Sequence, residues 1–105
     1  MATLKLFPSS IDSLPVFDGP FDARKIESEK ANVYFASYPA GMVIPPHQHD
    51  TDNHGIITAG ELILTMDGIE HRYGKGDWYF VPAHKVHAAR FEVDTAEIEV
   101  WFKKG

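Results

Sequence analysis

An all-β sandwich or barrel is the fold class this sequence predicts, on three observations. From residue 31 onward, short segments rich in β-branched and aromatic residues recur at regular spacing, with Gly or Pro turns between them. No stretch carries a sustained helical period. The last segment alternates: Ile98, Val100 and Phe102 fall on one face, Glu97, Glu99 and Trp101 on the other. One of these faces is expected to be core and the other mostly wet.

Residues 1–30 read as an extended arm with short strand pieces, because Pro8, Pro15 and Pro20 interrupt any regular element. Asp22 to Lys30 fits one helical turn. The arm's apolar residues (Leu4, Leu6, Phe7, Ile11, Leu14, Val16, Phe17 and Phe21) are too many for a free tail. The arm is expected to pack on the barrel or on a partner subunit, in a homodimer whose arms cross a two-fold axis.

Residues 31–105 are the predicted barrel. Val33 to Tyr38 is β-branched and aromatic and stops at Pro39-Ala40-Gly41. Met42 to Ile44 follows, then a bend at Pro45-Pro46, then His47-Gln48-His49. Gly55 to Thr58 ends at Ala59-Gly60. Glu61 to Met66 and Ile69 to Tyr73 flank Asp67-Gly68, a two-residue hairpin signal because both central positions need φ > 0. Gly74 to Asp77 turns into Trp78 to Pro82, and Val86 to Val93 and Ala96 to Phe102 complete the set.

A chain of 105 residues has room for one core. Hydrophobic content of 44% and charged content of 24% are those of a globular protein, which argues against wholesale disorder. A net charge of −5, with scattered Lys and Arg, argues against a nucleic-acid or anionic-membrane binder. No apolar run approaches the ~18 residues of a spanning helix, and no signal-peptide pattern opens the chain. A cytoplasmic location is the default expectation. Without cysteine there is no disulfide, thiolate ligand or catalytic thiol, so a metal must be held by nitrogen and oxygen.

All six histidines fall between residues 47 and 87. On an extended strand, His47 and His49 point to the same face. With His87 from another strand they form three neutral imidazoles suited to one divalent transition ion: iron, manganese, nickel, copper or zinc.

The spacing of these residues resembles the two motifs of the cupin superfamily, small jelly-roll β-barrels. Gly41 precedes His47-Gln48-His49 by five residues, three more lead to Asn53, and six more to Gly60. Gly76 precedes Pro82 by five residues, and His84 and His87 follow. The resemblance covers residues 41–91 and implies a cupin-type jelly-roll β-barrel with His47, His49 and His87 as metal ligands. The chain departs from the motifs at Asn53 (glutamate in the family), His84 (glycine) and Phe91 (asparagine). Asn53 offers at best a neutral carbonyl oxygen, either to the metal or to a water beside it. His54, of opposite parity, is expected outside the barrel and is an alternative fourth ligand. His84 is a solvated turn residue or a substrate contact, and His71 a surface residue. Asp50 and Asp52 either orient an imidazole or serve a polar turn.

Three histidines with no carboxylate leave a +2 centre with open positions, suited to bidentate anionic substrates. Resemblance to cupins implies a metal-dependent, dioxygenase-like oxidoreductase acting on a small organic acid or diketone. A non-catalytic metal or small-ligand binding module is the alternative, and a sugar isomerase a weaker one. The expected site holds no obvious general base, because the family glutamate is missing; this favours the binding module or chemistry driven by the metal alone.

Overall fold

The computed structural model describes residues 6–104, so Leu4 of the arm lies outside the described residues. A 3-10 turn at Ser9–Ser13 precedes nine strands: β1 (Asp22–Glu27), β2 (Ala31–Tyr38), β3 (Val43–His47), β4 (Asp52–Ala59), β5 (Glu61–Met66), β6 (Ile69–Gly74), β7 (Trp78–Val81), β8 (His87–Arg90) and β9 (Thr95–Phe102). They form two antiparallel sheets of order β1-β2-β9-β4-β7 and β3-β8-β5-β6, the two walls of a jelly-roll barrel. Among the described residues no helix is long and apolar enough to cross a membrane.

Asp22 to Glu27 is a strand, not a helical turn. Six consecutive pairs from Asp22↔Ser37 to Glu27↔Asn32 tie it to β2, and this pairing outweighs the weak local helical preference of a charged stretch. The sheet therefore begins inside the proline-rich arm. The rest of the arm is fastened to β1: Val16 bridges Arg24, and the Arg24 guanidinium donates to the Asp12 and Leu14 carbonyls at 2.6 and 3.1 Å. Phe17 packs against Phe21, Tyr34 and Trp101, and Phe21 against Tyr38.

The Asp67-Gly68 hairpin forms as the sequence predicts, with φ of 54° and 75° joining the Met66↔Ile69 pair. The proline pair, expected as a bend between segments, lies within β3. That strand is the edge of its sheet, where a missing N–H is tolerated, and its ladder with β8 is irregular between Ile44 and His47.

Inside the barrel, Tyr34, Ala36, Tyr38, Ile57, Leu62, Leu64, Val81 and Phe91 form the buried core. The two outer faces differ. Over the smaller sheet, Arg72 pairs with Glu61 and Glu92, and Arg90 with Glu70. Over the larger sheet, the register aligns two mostly apolar rows: Ile26–Val33–Val100–His54–Phe80 and Arg24–Phe35–Ile98–Ile56–Trp78. Trp78 in the second row is 60% exposed, so this face is unusually apolar for a surface.

Candidate metal centre

His47 ends β3, His49 lies two residues beyond it, and His87 opens β8 opposite His47. Their ligand atoms all fall within 4.8 Å of one another. Both nitrogens of a ligating imidazole matter, and the outer one is held here by backbone. The His47 Nδ1 faces the Pro45 carbonyl and the His87 Nδ1 the Lys85 carbonyl, each at 2.8 Å. With Nδ1–H donating to these carbonyls, each Nε2 keeps its lone pair for a metal. Asp50 and Asp52 were candidates for that orienting role. Asp52 instead accepts from the Ala83 N–H at 2.8 Å and pairs with Lys104.

Burial, reinforced by the neighbouring His47 and His87, pushes the His49 pKa down to about 4. Burial also lowers that of His87, against the raising effect of its bond to the Lys85 carbonyl. A neutral imidazole is the form that ligates, so this donor set fits a divalent transition ion.

Asn53 is buried on the inner face of β4, with Gly55 and Ile57 at the same parity, and lines the cavity at the centre. Its Oδ1 accepts from the Thr51 hydroxyl at 2.6 Å. His54 points outward as expected and stacks on Phe80 at 4.5 Å. His84 is an exposed turn residue with φ of 67°, and its N–H donates to the His49 carbonyl at 2.7 Å. That left-handed backbone accounts for the glycine in the resembled motif. His71 is half-buried rather than a plain surface residue. It pairs with inward-facing Leu64, lies beside Tyr73, and stays outside the histidine cluster.

The centre opens onto a cavity of about 510 Å³ whose walls come from both sheets and from Phe17, Pro20 and Phe21 of the arm. Among the described residues no Lys or Arg lines it.

The cavity also holds two carboxyl groups that the motif comparison does not point to. Glu97 and Glu99 line the cavity and are 1% and 6% exposed. β9 alternates as the sequence predicts, but the face carrying Glu97, Glu99 and Trp101 is the inner one. Parity alone does not reveal this, since Phe102 stands on the opposite face to Trp101. Each carboxylate meets a tyrosine: Tyr38 Oη donates to Glu99 Oε2 at 2.5 Å, and Tyr79 Oη donates to Glu97 Oε1. Trp101 Nε1 donates to Glu99 Oε1 at 3.1 Å, and its ring lies 4.5 Å from that of His49. Burial and the adjacent Glu99 hold the Glu97 carboxyl well above the usual range. Glu99 is raised by burial, against the hydrogen bonds from Tyr38, Trp101 and Glu97 that favour its ionised form. Gly55 makes room for the Tyr79 ring, because a Cβ at that position would fall 2.3 Å from Tyr79 Cε2.

A family model described as a cupin domain matches residues 34–101. Dimethylsulfoniopropionate lyase DddQ of Ruegeria pomeroyi is 37% identical over 73 residues, covering 69% of this chain and 34% of that protein. The chain thus spans about a third of that relative's length. The crystal structure of the same lyase superposes with a TM-score of 0.68 at 32% identity, over 73% of this chain and 40% of that one. KdgF from a Halomonas species gives a TM-score of 0.71 at 23% identity, with 81% and 80% coverage. A cupin superfamily protein from Desulfitobacterium hafniense gives 0.76 at 19% identity, with 98% and 100% coverage. At these last two identities the likeness is one of fold.

Proposed function

Since this chain belongs to the cupin family, we propose that it is a metal-dependent enzyme that holds a small organic acid or dicarbonyl at the centre formed by His47, His49 and His87. One observation carries this reading. Three imidazoles, two of them oriented by backbone carbonyls, converge at the wall of a ligand-sized cavity in which the described residues offer an anion no Lys or Arg. One divalent transition ion per chain would supply the positive charge that binds and polarises an anionic oxygen. The chain's own contribution is to keep the His49 and His87 imidazoles neutral and to surround the ligand with Tyr38, Phe91 and Trp101. One relative is a dimethylsulfoniopropionate lyase, which makes that compound a natural probe.

The test has two stages. Metal-free protein is titrated calorimetrically with Fe(II), Mn(II), Ni(II), Cu(II) and Zn(II). The loaded protein is then incubated with diketones, 2-oxo acids and dimethylsulfoniopropionate while oxygen and products are followed. Oxygen consumption with Fe(II) selects a dioxygenase-like activity, and product without oxygen uptake selects lyase or isomerase chemistry. Binding without turnover returns the non-catalytic module. Failure to bind any of the ions sinks the reading.

Asn53 is proposed as a weak neutral ligand or as a contact to a water beside the metal. Replacing it with glutamate adds an anionic oxygen, so Asn53→Glu tightens metal binding and weakens anionic ligands. A change under about threefold, or ~0.7 kcal/mol, in the same titration removes Asn53 from the centre.

A homodimer is proposed on the apolar outer face of the larger sheet. β9 is the middle strand of five. A two-fold axis running along it lays each row on its own copy, placing Trp78 opposite Arg24 and Phe80 opposite Ile26 of the second copy. Apolar rows meet apolar rows, and an aromatic ring meets a cation. Light scattering of wild type should give twice the 11.8 kDa chain mass, and Trp78→Glu combined with Phe80→Glu should give the monomer. A monomeric wild type at micromolar concentration contradicts the dimer.

A further inference from the structure

Tyr38, Tyr79, Glu97 and Glu99 line the same cavity as the histidines and are not needed to hold a metal. Glu97 and Glu99 stand at alternate positions on the inner face of β9, close enough for each to perturb the other. Tyr38 and Trp101 donate to Glu99, and Tyr79 donates to Glu97. The Tyr38 ring is stacked on Phe91 at 4.2 Å and packed by Phe21 at 5.2 Å, which fixes its hydroxyl. Among the described residues no Lys or Arg lines the cavity or pairs with either carboxyl. Two adjacent buried carboxyls cannot readily both ionise. The donors on Glu99 favour its carboxylate, which leaves Glu97 as the acid.

We propose that Glu99 is the general base and Glu97 the general acid of a non-redox proton transfer at the carbon next to a carboxylate or carbonyl of the bound substrate. This rests on the metal-dependent enzyme proposed above and names its reaction. Glu99 takes the proton from carbon, and the C–H electron pair becomes the C=C bond of an enolate with its charge on the substrate oxygen. Glu97 gives its proton back to carbon, at the same atom or the neighbouring end of the conjugated system, and the enolate electron pair forms the new C–H bond. The proton gained by Glu99 is released to water in the cavity, and Glu97 takes a proton from the same water, which restores both groups and carries solvent hydrogen into the substrate. No electrons enter or leave, so the net reaction is an isomerisation. Tyr38 and Tyr79 are positioning residues that hold the two carboxyls.

The test is deuterium uptake from D₂O, followed by proton NMR, using metal-loaded protein with 2-oxobutyrate and 2-oxoglutarate as probes. Wild type should raise uptake next to the carbonyl or carboxylate above the buffer rate. Glu99→Gln should lower it by about 100-fold or more, with metal affinity unchanged within about threefold. If Glu99→Gln fails to fold, Tyr38→Phe replaces it, with an expected loss of about tenfold in rate at unchanged KM. Buffer-rate uptake by wild type with both probes overturns the proposal, as does wild-type uptake in the substituted protein. Oxygen consumption without deuterium uptake also overturns it while leaving the metal-dependent enzyme standing. Loss of all metal binding by wild type would strike that broader reading itself.

Discussion

Replacing His87 with alanine lowers the affinity for a divalent transition ion by about 100-fold or more, whereas His71→Ala leaves it unchanged. The magnitude follows from the site: losing a group that merely orients a ligand already costs 10–100-fold, and His87 is proposed as a ligand. Its Nδ1 is committed to the Lys85 carbonyl, so the side chain has no second way to serve the centre. His71 lies on the inner face of β6 beside Tyr73, outside the cluster. Calorimetric titration of the three proteins with the same ion decides the matter. Equal losses from both substitutions would mean that the wrong histidines had been assigned.

The second large effect is on stability. Burial and the adjacent Glu99 hold the Glu97 proton in the folded protein well above the ordinary glutamate value of 4.5, while the unfolded chain releases it near that value. The folded state then binds the extra proton, so this contribution is complete below pH 4.5. It is lost as pH rises towards the folded pKa, at a slope of up to about 1.4 kcal/mol per pH unit. Glu97→Gln keeps the shape, cannot ionise, and flattens the slope. Urea unfolding of the metal-free proteins at about pH 5 and about pH 8 measures the difference. A wild-type slope no steeper than that of the variant would show that Glu97 does not hold a proton in the fold.

Strand periodicity and turn chemistry made most of the barrel legible. Asp67-Gly68 pins one hairpin to the residue, and the apolar pattern of Glu61 to Met66 reproduces β5 end to end. The three histidines were legible because two motifs placed them in register. β1 was not, since a short charged stretch carries little local preference and its partner strand lies across a turn. The acid pair was missed for a different reason. Alternation gives parity but not which side is inside, and two glutamates in a row of alternate positions read as solvent-facing. Only the register of β9 between β2 and β4, with Tyr79 lying over Gly55, turns that face inward.

The arm has a consequence beyond anchoring. Phe17, Pro20 and Phe21 form part of the cavity wall, yet they precede the first strand and lie outside the span matched by the family model. The groups proposed to hold an ion and those that help shape its chamber are therefore carried on separable stretches of chain. Substitution or exchange of a few residues near the N-terminus can resize the chamber while the histidine-bearing segments keep their sequence. Ligand range in such a barrel is free to diverge faster than its metal chemistry.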